Sequence, residues 1–202
     1  VSGHLSPSTA QHVLADLEGS IDLVLDGGEC PLGIESTVLD VVSSPPRILR
    51  PGAVPVQEIR RLLANVAVAD ADPERRYAPA ARMVLVEACA GMTTLAEVVR
   101  AERRRGRRVA LVATQEGAAA APCEIVAMWR EPPAGRVERE FFARLREAEQ
   151  TGADVIVVQA PPETPKTSVL LHRLRSAATE FVGADGPSRL NEADCDYDDT
   201  SP

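Results

Sequence analysis

The 202-residue chain is 45% hydrophobic with a formal net charge of −8, ordinary values for a globular protein that buries a real core. It holds no run of 18 uncharged apolar residues and no basic-then-apolar start, so neither a membrane span nor a signal peptide is expected, and the expected compartment is the cytoplasm. Cys30, Cys89, Cys123 and Cys195 form no CxxC pair, which argues against a structural zinc site or a disulfide framework, and the single lysine, Lys166, and the scattered arginines make no nucleic-acid footprint.

Along the chain, "LSPSTAQHVLADLEG" reads as a helix start, with Ser6 before Pro7, a capping option in Ser8 with Gln11, and a buried stripe of Val13, Leu14 and Leu17. "IDLVLDGG" reads as a strand stopped by glycines, and "STVLDVV" and "RILRPG" as two more strands joined by "SSPP". "VPVQEIRRLLANV" returns to helical spacing through Val56, Ile59, Leu62 and Leu63. Residues 65–82 lose periodicity and read as a linker. Beyond it, "MVLVEA", "RRVALVAT", "EIVAMW" and "DVIVVQA" read as buried strands. They alternate with the helical segments "TTLAEVVRAERRRG", "EREFFARLREAEQTG" and "KTSVLLHRLRSAATEFV", while "GAAAAP" reads as a loop. Such alternation predicts an α/β, doubly wound parallel sheet over about residues 83–182. Residues 183–202 hold six acids and one arginine with few large apolar residues, and read as a disordered acidic tail.

Two features carry chemistry. In "DGGECPLGIESTVLDV" glycines allow close backbone approach or positive φ, and Ser36 and Thr37 offer hydroxyls to a carboxylate, a phosphate or the neighbouring backbone. Arg50 ends an apolar strand and is fixed by a Pro-Gly turn, a placement that can present a planar cation to phosphate. The basic run "RAERRRGRR" reads as the solvated C-terminal end of a helix, where cations suit the macrodipole. No Walker phosphate loop or nucleophile elbow is present.

In order, "SGHLSPSTAQHV", "IDLVLDGGECPLGIESTVLDV", "ILRPGAV" and "RYAPAA" resemble the two-domain, YrdC-like threonylcarbamoyl-AMP synthases. The resemblance implies a partial YrdC-like α/β domain at residues 1–64, followed by a Rossmann-like domain. It also implies a reaction of ATP, L-threonine and bicarbonate to threonylcarbamoyl-AMP and pyrophosphate, usually with Mg2+. The threonylcarbamoyl group then passes to a tRNA adenosine through partner proteins. On this likeness Ser6 and Arg50 would hold ATP, with Tyr77 nearby in a lid across the cavity mouth. Ser36 would contact L-threonine, and Gly33 and its neighbours would leave room for it. The family's Ser-Ala-Asn and the basic segments before it do not occur in these 202 residues. The expectation is therefore a truncated synthase, poorly active on its own, either because the sequence is a piece of a longer one or because a partner chain supplies the missing half and covers the open strand edge. The alternative is an inactive remnant in which the α/β module binds a ligand or partner.

Overall fold

The computed structural model describes residues 5–69, 78–129, 137–164 and 167–188. The chain enters through helix α1 (Ala10–Leu17), capped by Thr9, whose hydroxyl accepts from the His12 N–H at 3.2 Å. The cap thus falls one residue after the expected Ser8. The expected apolar stripe is also absent: no residue of α1 is buried and Leu14 is 45% exposed. A charged anchor holds the helix instead, because the buried Arg146 guanidinium reaches Asp16 at 3.0 Å and also donates to the Leu5 carbonyl.

Residues 21–28, expected as a strand, pair with no strand among the described residues, and Leu23 and Leu25 are exposed. A strand is stabilised only by a ladder partner, and the apolar run alone does not supply one. The first sheet has three strands, β1 (Val38–Asp40), β2 (Arg47–Arg50) and β3 (Ala67–Val68), in that order. β1 and β2 are antiparallel, and β3 returns parallel to β2 after helix α2 (Val56–Leu62). A small core of Ile48, Val56, Ile59 and Val66 lies beneath them. Part of the expected linker is therefore sheet, because Val66 and Val68 give that stretch an apolar face to bury.

The second sheet contains β4 (Arg82–Val86), β5 (Val109–Ala113), β6 (Ile125–Met128), β7 (Val155–Gln159), β8 (Glu180–Gly183) and β9 (Gly186–Ser188), in the order β6-β5-β7-β4-β8-β9. All neighbours are parallel except the last pair, β8 and β9. Helices α3 (Gly91–Arg104), α4 (Gln115–Ala120), α5 (Val137–Gln150) and α6 (Ser168–Ala177) connect the strands. β4, β5 and β7, at the middle of the sheet, are buried on both faces, as a parallel sheet requires. Met83, Leu85, Ile156 and Val158 pack with Phe141 and Leu145 of α5 and Leu170, Leu171 and Leu174 of α6. Their alternating neighbours Val84, Val86, Val155 and Val157 pack with Leu95, Ala96 and Val99 of α3. The fold is thus mixed α/β with a doubly wound parallel domain, as the strand and helix alternation predicts.

Three local readings are corrected. "ATEFV" leaves helix α6 and becomes β8, since Phe181 and Val182 complete the ladder beside Leu85 and Val86. Residues 183–188, expected in the disordered tail, are ordered by the turn that brings β9 back onto β8, and residues 189–202 lie outside the described residues. "QEGAAA" is helix α4, capped by Thr114, whose hydroxyl accepts from the Gly117 N–H at 3.2 Å. No helix among the described residues is long and apolar enough to cross a membrane.

Candidate functional site

The segment Gly33–Thr37 and the turn after β2 form one piece of backbone. Gly52 must be glycine, because a Cβ there would lie 2.5 Å from the Ser36 carbonyl carbon. The same contact is sealed by the Ala53 N–H donating to the Glu35 carbonyl at 3.0 Å. Thr37 spends its hydroxyl on this joint: it donates to the Val54 carbonyl at 2.8 Å and accepts from the Val54 N–H at 3.0 Å. Of the two adjacent hydroxyls, Thr37 is therefore structural, while Ser36 is exposed at the surface of the joint.

Arg50 lies directly over Ser36. Its Nε and Nη2 donate to the Ser36 carbonyl at 3.1 and 3.0 Å, and Nη2 also reaches Ser36 Oγ at 3.2 Å. A planar fork aimed in this way is pre-organised, and Ser36 Oγ, already accepting from Arg50, keeps its own proton to donate. On the other side Ser6 donates to Glu35 Oε1 at 2.5 Å. Glu35 Oε2 in turn accepts from Arg173 Nη2 of α6 at 2.6 Å. Three of the residues expected from sequence, Ser6, Ser36 and Arg50, thereby lie in one cluster with Glu35, and guanidinium donors of this kind suit an anionic ligand. Tyr77 lies outside the described residues.

Gly33 plays a different part from the one expected of it. Its φ is +64°, and a Cβ there would overlap the Cα, Cβ and Cγ of Arg139 at 2.6 Å. The space it leaves is filled by Arg139 of helix α5. Arg139 also pairs with Glu29 at 3.1 Å. Together with Ser8, Thr9 and His12 these two residues border a cavity of about 280 Å3 between α1 and α5. Burial, then the nearby Arg146 charge, holds His12 below the ordinary histidine pKa. Its Nδ1 accordingly accepts from the Ser8 N–H at 3.2 Å.

Glu35 and Arg173 were not singled out as site residues from sequence. For Glu35 the available signal was a carboxylate between glycine and two hydroxyls. For Arg173 it was a cation on a helix whose Leu170, Leu171 and Leu174 are all buried. Among the described residues no group of three His, Cys, Asp or Glu side chains converges as metal ligands.

These features define a class: a doubly wound α/β domain whose helices α5 and α6 dock, through Arg139, Arg146 and Arg173, onto the segment that precedes a small sheet, beside a polar cluster of serines and arginines. The chain belongs to the threonylcarbamoyl-AMP synthase family, since residues 54–179 match the model described as "Threonylcarbamoyl-AMP synthase, C-terminal domain". Residues 1–52 match a second model, described as "Telomere recombination". Threonylcarbamoyl-AMP synthases of Pyrococcus abyssi and Bacillus subtilis are 29% and 27% identical to it, each over 88% of this chain and 55% of its own length. The Schizosaccharomyces pombe enzyme is 27% identical over 91% of this chain and 51% of its own. The crystal structure of P. abyssi Sua5 complexed with L-threonine superposes with a TM-score of 0.74 at 28% identity, covering 88% of this chain and 55% of that one. The chain thus spans about half the length of the curated relatives it matches.

Proposed function

We propose that this chain contributes to a threonylcarbamoyl-AMP synthase that uses ATP, L-threonine and bicarbonate. The amine of threonine and bicarbonate give a carbamate and water. An oxygen of that carbamate then displaces pyrophosphate from the α-phosphorus of ATP. No side-chain nucleophile is needed, so the protein's work is to position reactants and offset charge.

In this reading Ser36, with a proton to give, meets the threonine carboxylate. Arg50 offsets phosphate charge beside it, Ser6 meets another part of the nucleotide, and Tyr77 belongs to a lid. The carrying observation is the Ser6–Glu35–Ser36–Arg50 cluster, which joins three separate sequence motifs at hydrogen-bond distance. The P. abyssi relative crystallised with L-threonine supports the choice of amino acid. Mg2+ enters as the companion of the ATP phosphates, since it keeps waters and binds chiefly through substrate oxygens. The product's threonylcarbamoyl group passes to a tRNA adenosine through partner proteins in the cytoplasm.

The test is pyrophosphate release from ATP, with L-threonine and bicarbonate, by the 202-residue chain and by the same chain joined to the family's Ser-Ala-Asn and basic segments, alongside calorimetry of both substrates. Weak or no release from the chain alone and threonine-dependent release from the extended one is the expected result. Binding without release in both would overturn the catalytic assignment and favour a ligand-binding module, and failure of both to bind either substrate would overturn the reading altogether.

A further inference from the structure

Glu35 divides its carboxylate between two regions of the molecule. One oxygen takes the Ser6 hydroxyl at 2.5 Å and the other takes Arg173 Nη2 at 2.6 Å. The Arg173 and Glu35 side chains are only 10% and 16% exposed, so water does little to screen the pair. The guanidinium that anchors this carboxylate comes from α6 of the six-stranded domain.

The direction of the Ser6 bond has a chemical consequence. A serine hydroxyl has one proton and two lone pairs, and an ionised carboxylate can only accept. Ser6 Oγ has given its proton to Glu35, so toward a ligand it can only accept. A phosphate oxygen, also an acceptor, would be repelled there, whereas a ribose hydroxyl or the amino group of a purine would be held.

We propose that Arg173 is a positioning residue of the nucleotide site. By holding the Glu35 carboxyl in place it fixes Ser6 as an acceptor that selects the nucleoside end of ATP, leaving the phosphates to the Arg50 side of the cluster. The six-stranded domain is then part of substrate recognition, since α6 carries the residue that sets the polarity of Ser6. This inference rests on the reading that the cleft takes ATP.

The experiment compares the full chain with R173M, R173K, E35Q and the neutral pair R173M/E35Q, by calorimetry with AMP, inorganic tripolyphosphate and L-threonine. The double variant removes both members of the Arg173–Glu35 pair and so guards against leaving either one shielded without the other. R173M, E35Q and the double variant should weaken AMP by up to about tenfold, the size of one hydrogen bond between neutral groups. Tripolyphosphate and threonine affinities should stay within about twofold, and R173K should recover most of the AMP affinity because an ammonium still offsets the charge. Unchanged AMP affinity in all four variants would overturn the proposal, as would equal losses for all three ligands, which is what a purely structural role gives. A wild-type chain that binds neither AMP nor tripolyphosphate would sink the ATP reading itself, a different result from variants that match an active wild type.

Discussion

Replacing Gly33 with alanine tests whether that glycine serves the docking of α5. Two costs are separable. The first is conformational: φ is +64°, and an L-residue in the left-handed region costs about 1–2 kcal/mol. The second is steric, because the new methyl would overlap Arg139 at 2.6 Å, including its Cα, which no rotamer change can move. Overpacking of that kind costs roughly 1–3 kcal/mol. Gly28 supplies the control. Its φ is +86°, yet a Cβ there meets nothing within 4 Å, so G28A pays the conformational cost alone. Urea unfolding of G33A, G28A and wild type is followed by circular dichroism and by the fluorescence of Trp129, which packs 5.3 Å from Phe141 of α5. G33A should lose about 2–5 kcal/mol, and about 1–3 kcal/mol more than G28A. Equal losses in the two variants would refute the claim that Arg139 occupies the room at Gly33.

Glu102, 3% exposed, meets Arg82 at 3.2 Å and also binds Arg105 and Arg107, so E102Q should cost roughly 1–3 kcal/mol, the exposed arginines being discounted for solvent screening. Burial opposes ionisation of Glu102, but the hydrogen bonds and charges of Arg107 and Arg82 outweigh it and hold the carboxyl below its ordinary range. Its contribution is therefore complete above the unfolded carboxylate value and drains as pH falls through the lower folded one, so the wild-type and E102Q stability curves should converge in acid. A gap that persists at low pH would contradict this. His172 is depressed by burial and then by the charges of Arg173 and Arg175. The unfolded chain thus takes up a proton at the ordinary value of 6.5 before the folded one does, and stability should fall as pH drops below 6.5. H172N should flatten that part of the stability profile, and an unaltered slope would assign it to other groups.

The second sheet was legible in sequence because its signal is local. Runs such as Val109–Ala113 and Val155–Gln159 are apolar at successive positions, as only a strand covered on both faces requires, and the helices between them carry their own period. β8 was not legible, since "TEFV" is short and follows α6 without a breaker, and its partner Leu85 is some 96 residues away. The segment at residues 21–28 failed in the opposite direction: it has strand composition but no strand beside it among the described residues. The cleft was partly readable, because Ser6, Ser36 and Arg50 lie in recognisable motifs. Glu35 belongs to the same motif, but its function depends on a cation 138 residues further along the chain, and no local pattern encodes that pairing.

The same physics explains why the joint between the two sheets escaped a reading based on apolar periodicity. Apart from Leu5, which enters the α5 and α6 core, the recurring contacts are arginines of one region on acids and carbonyls of the other: Arg139 on Glu29, Arg146 on Asp16 and the Leu5 carbonyl, Arg173 on Glu35. Helix α1 needs no fully buried apolar stripe when a buried guanidinium holds it, and so Val13 and Leu17 are only half-buried and Leu14 is exposed. Such a joint is directional where an apolar one is not. Each fork must meet its acceptors in one orientation, so docking the second domain also fixes where Glu35 points, and with it the direction of the hydrogen bond made by Ser6. An interface built from charge pairs therefore transmits geometry into the cleft.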